Sequence, residues 1–279
     1  MLELLHAERI KLLRHRAVWF LVWVFPILIT AVLAGVTAYQ MIKGQSPDLG
    51  PPDTAASWIR ESTFPWQILA NPIPRYLLAA FTAIAFGGEY SWNTWKLVGP
   101  HRSRSALLAA KYLSVLMLFA LTLALTALLG TIGLWANGVL TNDPIPKGVE
   151  LPALLAANGR AASLAALTVL LTVAYASAGA ILTRSTIAGL VIAIVAITAE
   201  ALIGQLGPRL LSPVIFQLLP SYHLNNLESW LSEGKAFVQK FPEGRVLSLA
   251  WGWSLAACLL WAGGLIAVTV AAFRRQDLN

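Results

Sequence analysis

Apolar runs of about twenty residues recur along this chain, each long enough to cross a hydrocarbon core of roughly 30 Å. Hydrocarbon offers the backbone no hydrogen-bond partners, so such runs fold as helices that satisfy their own amides. The sequence reads as six spans, about residues 18–39, 66–88, 105–135, 161–182, 186–206 and 247–273. The third is long enough to tilt or to project from the bilayer. Charge confirms lipid as the solvent: 12% of residues are charged and 57% hydrophobic, whereas a soluble domain carries about 25% charged residues. The expected fold class is an all-α membrane protein forming a single transmembrane domain over residues 1–279.

An even number of crossings puts both ends on one side, and the basic residues choose that side. Arg9, Lys11, Arg14 and Arg16 precede the first span; Lys96, Arg102, Arg104 and Lys111 follow the second; Arg184 follows the fourth, and Arg274 and Arg275 close the last. Only Glu3, Glu8, Glu89 and Asp277 oppose them on that side. The positive-inside rule therefore places both termini in the cytoplasm and the chain in the cytoplasmic (inner) membrane as a multi-pass protein. The net charge of +7 sits in these short loops, where topology signals sit, so nucleic acid is not an expected partner. Cys258 stands alone and forms no intrachain disulfide.

The outer connections have character of their own. Between spans five and six, residues 207–246 contain Leu224, Leu227, Trp230, Leu231, Phe237, Val238 and Phe241 at helical spacing, with Glu228, Glu233, Lys235 and Lys240 between them. That pattern predicts an amphipathic outer helix covering the mouth of the bundle. Pro72 and Pro74 predict a kink or irregular turn where the second span begins.

Catalytic signatures are missing. The chain has no G-x-x-x-x-G-K-[ST] phosphate loop, no H-E-x-x-H or C-x-x-C metal motif and no G-x-S-x-G nucleophile elbow. No catalytic residue, cofactor or metal site is assigned; the expectation is a chain that binds and moves rather than catalyses.

The most informative stretch runs from Phe86 to Lys111, FGGEYSWNTWKLVGPHRSRSALLAAK, between the second and third spans. Glu89 sits where the second span leaves lipid. Tyr90, Trp92 and Trp95 are spaced along an interfacial helix, and Tyr and Trp favour the headgroup level. Gly99-Pro100 ends that helix, Ser103 or Ser105 can cap the third span, and Lys111 can snorkel. The segment reads as a plain interfacial anchor or as a docking surface for a cytoplasmic partner. The N-terminal segment, residues 1–17, reads as an interfacial amphipathic helix. Leu2, Leu5, Leu12 and Leu13 form one side, and Glu8, Lys11, Arg14 and His15 the other, near anionic headgroups. The lipid surface is thus one partner.

These features together resemble the ABC type-2 permease family, the membrane subunits of ABCG-like exporters. The resemblance lies in the basic N-terminal helix, the six spans and a segment of the form E-Y-x-x-G-T-x-K/R…P-x-S-R…K. Here that segment reads Glu89-Tyr90-Ser91-Trp92-Asn93-Thr94-Trp95-Lys96, then Pro100-His101-Arg102-Ser103-Arg104 and Lys111, with Asn93 where the family usually has glycine. The resemblance implies that residues 89–104 form a cytoplasmic coupling segment docking on a separate ATPase. Glu89, Tyr90, Trp92, Trp95, Lys96, Arg102, Ser103 and Arg104 would make the coupling contacts, flanked by Glu8, Lys11 and Arg14. It also implies two ATPase copies carrying ATP and Mg2+, and a second permease copy, most simply a homodimer.

Two ionisable residues fall inside spans. Glu200 lies fourteen residues after Thr186 and Arg75 thirteen before Gly88, so both sit roughly 20 Å above the inner boundary. Either they pair or share a polar cavity, or each reaches outward on its own. Three functions are open at this point. One is the membrane half of an ATP-driven exporter of an apolar or amphipathic substrate. Another is an ion-coupled secondary carrier using Glu200, and a third is a non-transporting scaffold coupled to an ATPase.

Overall fold

The computed structural model describes residues 2–43, 54–91, 95, 103–141 and 145–276. Five of its helices are long and apolar enough to cross a membrane, or six if one bent pair counts as a single span. The protein is an all-α, multi-pass membrane protein whose described residues hold only one two-residue β-hairpin.

The chain opens with α1 (Leu2–Arg14), which turns at His15 into α2 (Arg16–Leu21) and α3 (Val24–Lys43). His15 caps α2, its Nδ1 accepting from the Ala17 amide at 3.1 Å. The joint between α2 and α3 is a widened turn: the Val18 carbonyl accepts from both the Val22 and the Trp23 amides, at 3.0 and 2.9 Å. The two helices together form the first span. After α4 (Ala55–Ser62), α5 (Phe64–Gln67) and a 3-10 turn, the chain bends by 79° into α6 (Pro72–Ser91). The pivot is Asn71, held in extended conformation, as a residue before proline prefers. Pro72 and Pro74 thus stand at a break in the second span.

Next come α7 (Arg104–Leu140), α8 (Leu151–Thr183), α9 (Thr186–Leu210), α10 (Pro213–Phe216), α11 (Pro220–Glu233) and α12 (Trp251–Arg275). At 37 residues, α7 is about 55 Å long and exceeds the hydrocarbon thickness. The most apolar stretch of α8 is 83% buried, against 28% or less for those of α3, α9 and α12, so α8 is the axis around which the others pack. One core cluster joins α1, α2 and α3 to α6, α7 and α8 through Phe25, Phe81, Leu108, Phe119 and Val173. A second joins α8 to α6, α9, α11 and α12 through Leu171, Ala174, Ile197, Leu227 and Cys258. The chain ends lie on one face, called terminal here; the opposite face is distal.

Small residues set the closest approaches. A Cβ on Gly87 of α6 would fall 2.7 Å from the Thr186 backbone, and one on Gly189 would fall 2.7 Å from the Ala180 backbone. Arg184 makes the α8–α9 turn in the left-handed region, at φ 55°, and Ser185 caps α9 by accepting from the Ala188 amide.

The distal segment departs from the expected single helix. α11 stops at Glu233 because Gly234 adopts φ 69°. Phe237, Val238 and Phe241 do not continue it: Gln239–Lys240 pairs with Val246–Leu247 in an antiparallel hairpin. Phe241 packs with Phe216 and Tyr222 in a small distal core. Beneath it runs a buried hydrogen-bond chain. Asn226 Nδ2 donates to Ser254 Oγ at 2.7 Å, and His223 Nε2 donates to the Gln217 carbonyl at 2.7 Å. The remaining ring nitrogen, Nδ1, therefore accepts from Ser254 Oγ at 3.1 Å.

Two predictions follow from this packing. Gly87→Ala should lower thermal stability by about 1–3 kcal/mol, because the contact atoms are backbone and cannot swing away. Gly35→Ala, with nothing within 4 Å of the added methyl, should be neutral or stabilising; melting of the two purified variants compares them. Burial also holds the His223 imidazole below its ordinary range, outweighing the Gln217 carbonyl that favours the charged ring. Its contribution to stability is complete above about pH 6.5 and is lost as pH falls from there toward the depressed folded value. Distal-face amide protection, taken relative to the intrinsic exchange rate at each pH, should fall across that window, and His223→Gln should remove the fall.

Candidate functional site

At the terminal face α1, α6 and α7 meet through charge. Glu89, at the end of α6, is buried, and its Oε1 accepts from Lys111 Nζ of α7 at 2.7 Å and from Lys11 of α1. Lys111 Nζ also donates to Glu8 Oε2 at 2.9 Å. Lys111 is 1% exposed and lies 5.6 Å from the Trp95 ring centre and 6.0 Å from that of Phe86. Two carboxylates and two π faces therefore replace the water its ammonium lost.

The end of α12 is sewn into the same knot. Trp95 is buried with its ring 4.5 Å from that of Phe273. Tyr90 donates to Gln276 Oε1 at 2.5 Å, and Gln276 Nε2 donates to the Ile181 carbonyl of α8 at 2.6 Å. Arg104 Nη1 donates to the carbonyls of Arg274 at 2.9 Å and Gln276 at 2.5 Å. Its charge therefore meets the negative end of α12. Ser103 caps α7, accepting from the Ala106 amide.

Toward the distal face, Arg75 of α6 and Glu200 of α9 form an ion pair, Nη2 to Oε2, at 2.6 Å. Both are buried. Tyr175 of α8 donates to Glu200 Oε1 at 2.8 Å, and Arg75 Nε donates to Thr172 Oγ1 at 3.1 Å. Beside this group a cavity of about 1050 Å³ opens between α4, α5, α6, α8, α9 and α11; Arg75 and Glu200 line it.

Residues 4–200 match the family model described as "ABC-2 family transporter protein". The chain belongs to the ABC-2 transporter family. Among curated proteins, none matches it closely. Membrane subunits of the family are typically non-catalytic and generally work with an ATPase partner.

Against that family background, the residues read from the sequence divide into three groups. Glu8, Lys11, Glu89, Tyr90, Trp95, Ser103 and Arg104 converge on the terminal knot. Arg75 and Glu200 pair, settling the alternatives their depth left open. Trp92, Lys96 and Arg102 lie outside the described residues.

Some orientations differ from the expected ones. Trp95 packs inside the protein rather than facing outward, with Phe273 as its aromatic partner. Glu8 and Lys11 turn toward Lys111 and Glu89 rather than toward lipid headgroups, while Arg14 stays exposed. Lys111 does not snorkel; two carboxylates hold it inside. Lys111 and Gln276 were missed as site residues. Helix rotation alone decides whether an interfacial lysine turns inward, and the chain end carries no pattern that announces a latch.

If the distal pair is retained for more than packing, its energetics have a signature. Arg75→Met should destabilise the protein by about 3–5 kcal/mol, because it strands a buried carboxylate. Arg75→Met combined with Glu200→Leu should recover most of that loss. Thermal melting of the wild type and these two variants measures both effects.

Proposed function

We propose that this chain is the membrane-spanning permease of an ATP-binding cassette exporter that moves an apolar or amphipathic substrate across the cytoplasmic membrane. In this reading both termini are cytoplasmic and the terminal face docks a separate ATPase, which binds ATP and Mg2+. Two copies of the permease pair, each with one ATPase. The elbow between α6 and α7, residues 89–104, receives the push of the closing ATPases and passes it to the bundle.

The observation that carries the reading is the terminal knot within a chain of this family. A loop meant to transmit force must be stiff where it joins the spans. Here Glu89, Lys111, Glu8 and Lys11 lock its two ends to α1, and Arg104 and Gln276 lock it to α12. The basic residues of the terminal side, read by the positive-inside rule, support the orientation. An ion-coupled carrier using Glu200 fits less well. Arg75 and Tyr175 already engage this carboxylate, so binding a coupling ion would have to displace an existing ion pair in every cycle.

The test is co-purification of a nucleotide-hydrolysing ATPase subunit with the permease. Binding should fall strongly in Arg102→Glu, with melting of the variant permease as the control for folding. Glu89→Lys and Arg104→Glu are poorer choices, since both would undo contacts internal to the permease. A thiol placed at Ser103 should react only from the cytoplasmic side. Reaction from the outside, or transport by the purified chain without any nucleotide-hydrolysing partner, would overturn the proposal.

A further inference from the structure

We propose that the distal cavity, contained within one subunit, is a binding chamber for a long-chain amphiphile with an anionic head. The inference rests on the permease reading above and adds the substrate class and the place where it binds.

The shape comes from two facing helix stripes. On α8 the lining residues Ala153, Ala156, Ala157, Arg160, Ala161 and Leu164 recur at three- and four-residue spacing and continue to Thr168. They form one face about 22 Å long. All but two of those six are alanine, so the face has little side-chain bulk and leaves a groove. On α11 the lining residues Ser221, Leu224, Asn225, Glu228 and Leu231 recur in the same way. An apolar chain laid between these stripes would be covered by alanine and leucine.

The charges select the head. Three arginines and two glutamates line the cavity. Arg75 and Glu200 neutralise each other at 2.6 Å and close the deep end as a unit without net charge. Arg60 of α4 and Arg160 of α8 make no salt bridge with any described residue; Glu228 of α11 is the acid that joins them in the lining, and Glu61, which interacts with Arg60 electrostatically, lies outside it. Ser221 lines the cavity too; its hydroxyl is buried and has no hydrogen-bond partner among the described residues. A buried hydroxyl left unpaired costs stability, so this end of the cavity wall has a donor to spare. An oxygen-rich anionic head would meet two exposed guanidiniums at the cavity lining, whose planar donor forks match carboxylate and phosphate oxygens.

The test uses the full chain in zwitterionic proteoliposomes, without ATPase or nucleotide. A single thiol is introduced by Ala161→Cys, with Ala157→Cys as the alternative should the first fold poorly. The native Cys258 is fully buried. The rate of labelling by a membrane-impermeant maleimide is read with and without lysophosphatidylglycerol. Lysophosphatidylcholine of equal chain length and glycerol phosphate supply the comparisons. Lysophosphatidylglycerol should slow labelling by about fivefold or more, the weight of one partly exposed charge pair, and the other two by less than about twofold. Arg60→Glu with Arg160→Glu should abolish the protection. Equal slowing by both lysolipids would show that the head is not read, and slowing by glycerol phosphate would show a small-anion site. Absence of slowing by any of the three would show that the cavity binds no such ligand; each of these results overturns the inference. Because no ATPase is present, each leaves the exporter reading to its own co-purification test.

Discussion

A charge kept at bilayer depth must bring its own partner, because lipid supplies none. Arg75 and Glu200 meet that requirement in α6 and α9, and α8 completes it with Thr172 and Tyr175. Three helices are thereby fixed in rotation as well as in distance, since a turn of any one would strand an ion. Such a pair is weak evidence for stability: desolvating two ions commonly costs as much as their attraction returns, and an apolar pair of similar volume would serve packing as well. Its position beside the distal cavity gives it a second use. It closes a polar-mouthed chamber without leaving net charge at the bottom.

The terminal face solves the same problem with more members. Lys111 is almost completely enclosed, and its ammonium is balanced by Glu8 and Glu89 and by the rings of Phe86 and Trp95. Lys11 restores the second positive charge, so two carboxylates answer two ammoniums. Neutrality lets the knot be buried, and its donors come from helices distant in sequence. The knot therefore orders α1 against α6 and α7 with a precision that an amphipathic face floating on lipid would lack.

What the sequence reveals follows from how local each feature is. Span positions depend on local hydropathy, and the depths of Arg75 and Glu200 follow from counting residues along helices. Helix rotation is not local. Whether two charges at equal depth meet depends on which way α6 and α9 face, and that is set by contacts such as Gly87 against Thr186. Lys111 illustrates the point from the other side: its distance from the cap at Ser103 gives its level, but the docking of α1 decides that it turns inward. The distal segment misleads for a different reason. Phe237, Val238 and Phe241 mimic a helical face, yet the left-handed Gly234 ends the helix before them. Their apolar side chains serve a hairpin instead, and a glycine that ends a helix differs from one inside it only by its backbone angle.

Two helices join the faces: α6 carries Glu89 at one and Arg75 at the other, and α8 is bonded at both. Near its terminal end α8 accepts from Gln276 at the Ile181 carbonyl, and one turn back Ser177 bonds Tyr112 of α7 at 2.7 Å. Further along, Tyr175 and Thr172 hold the distal ion pair, and beyond them the helix offers its alanine stripe to the cavity. A helix bonded internally along its length does not stretch, and the close packing of α8 on α9 leaves it little freedom to slide. A displacement of the elbow that preserves the Gln276 latch must therefore carry α8 with it, and with α8 the floor and one wall of the chamber. Coupling between the faces thus runs through two helices: α6, which carries Glu89 at one site and Arg75 at the other, and α8, which the Gln276 latch and the Ser177–Tyr112 bond tie to the terminal side.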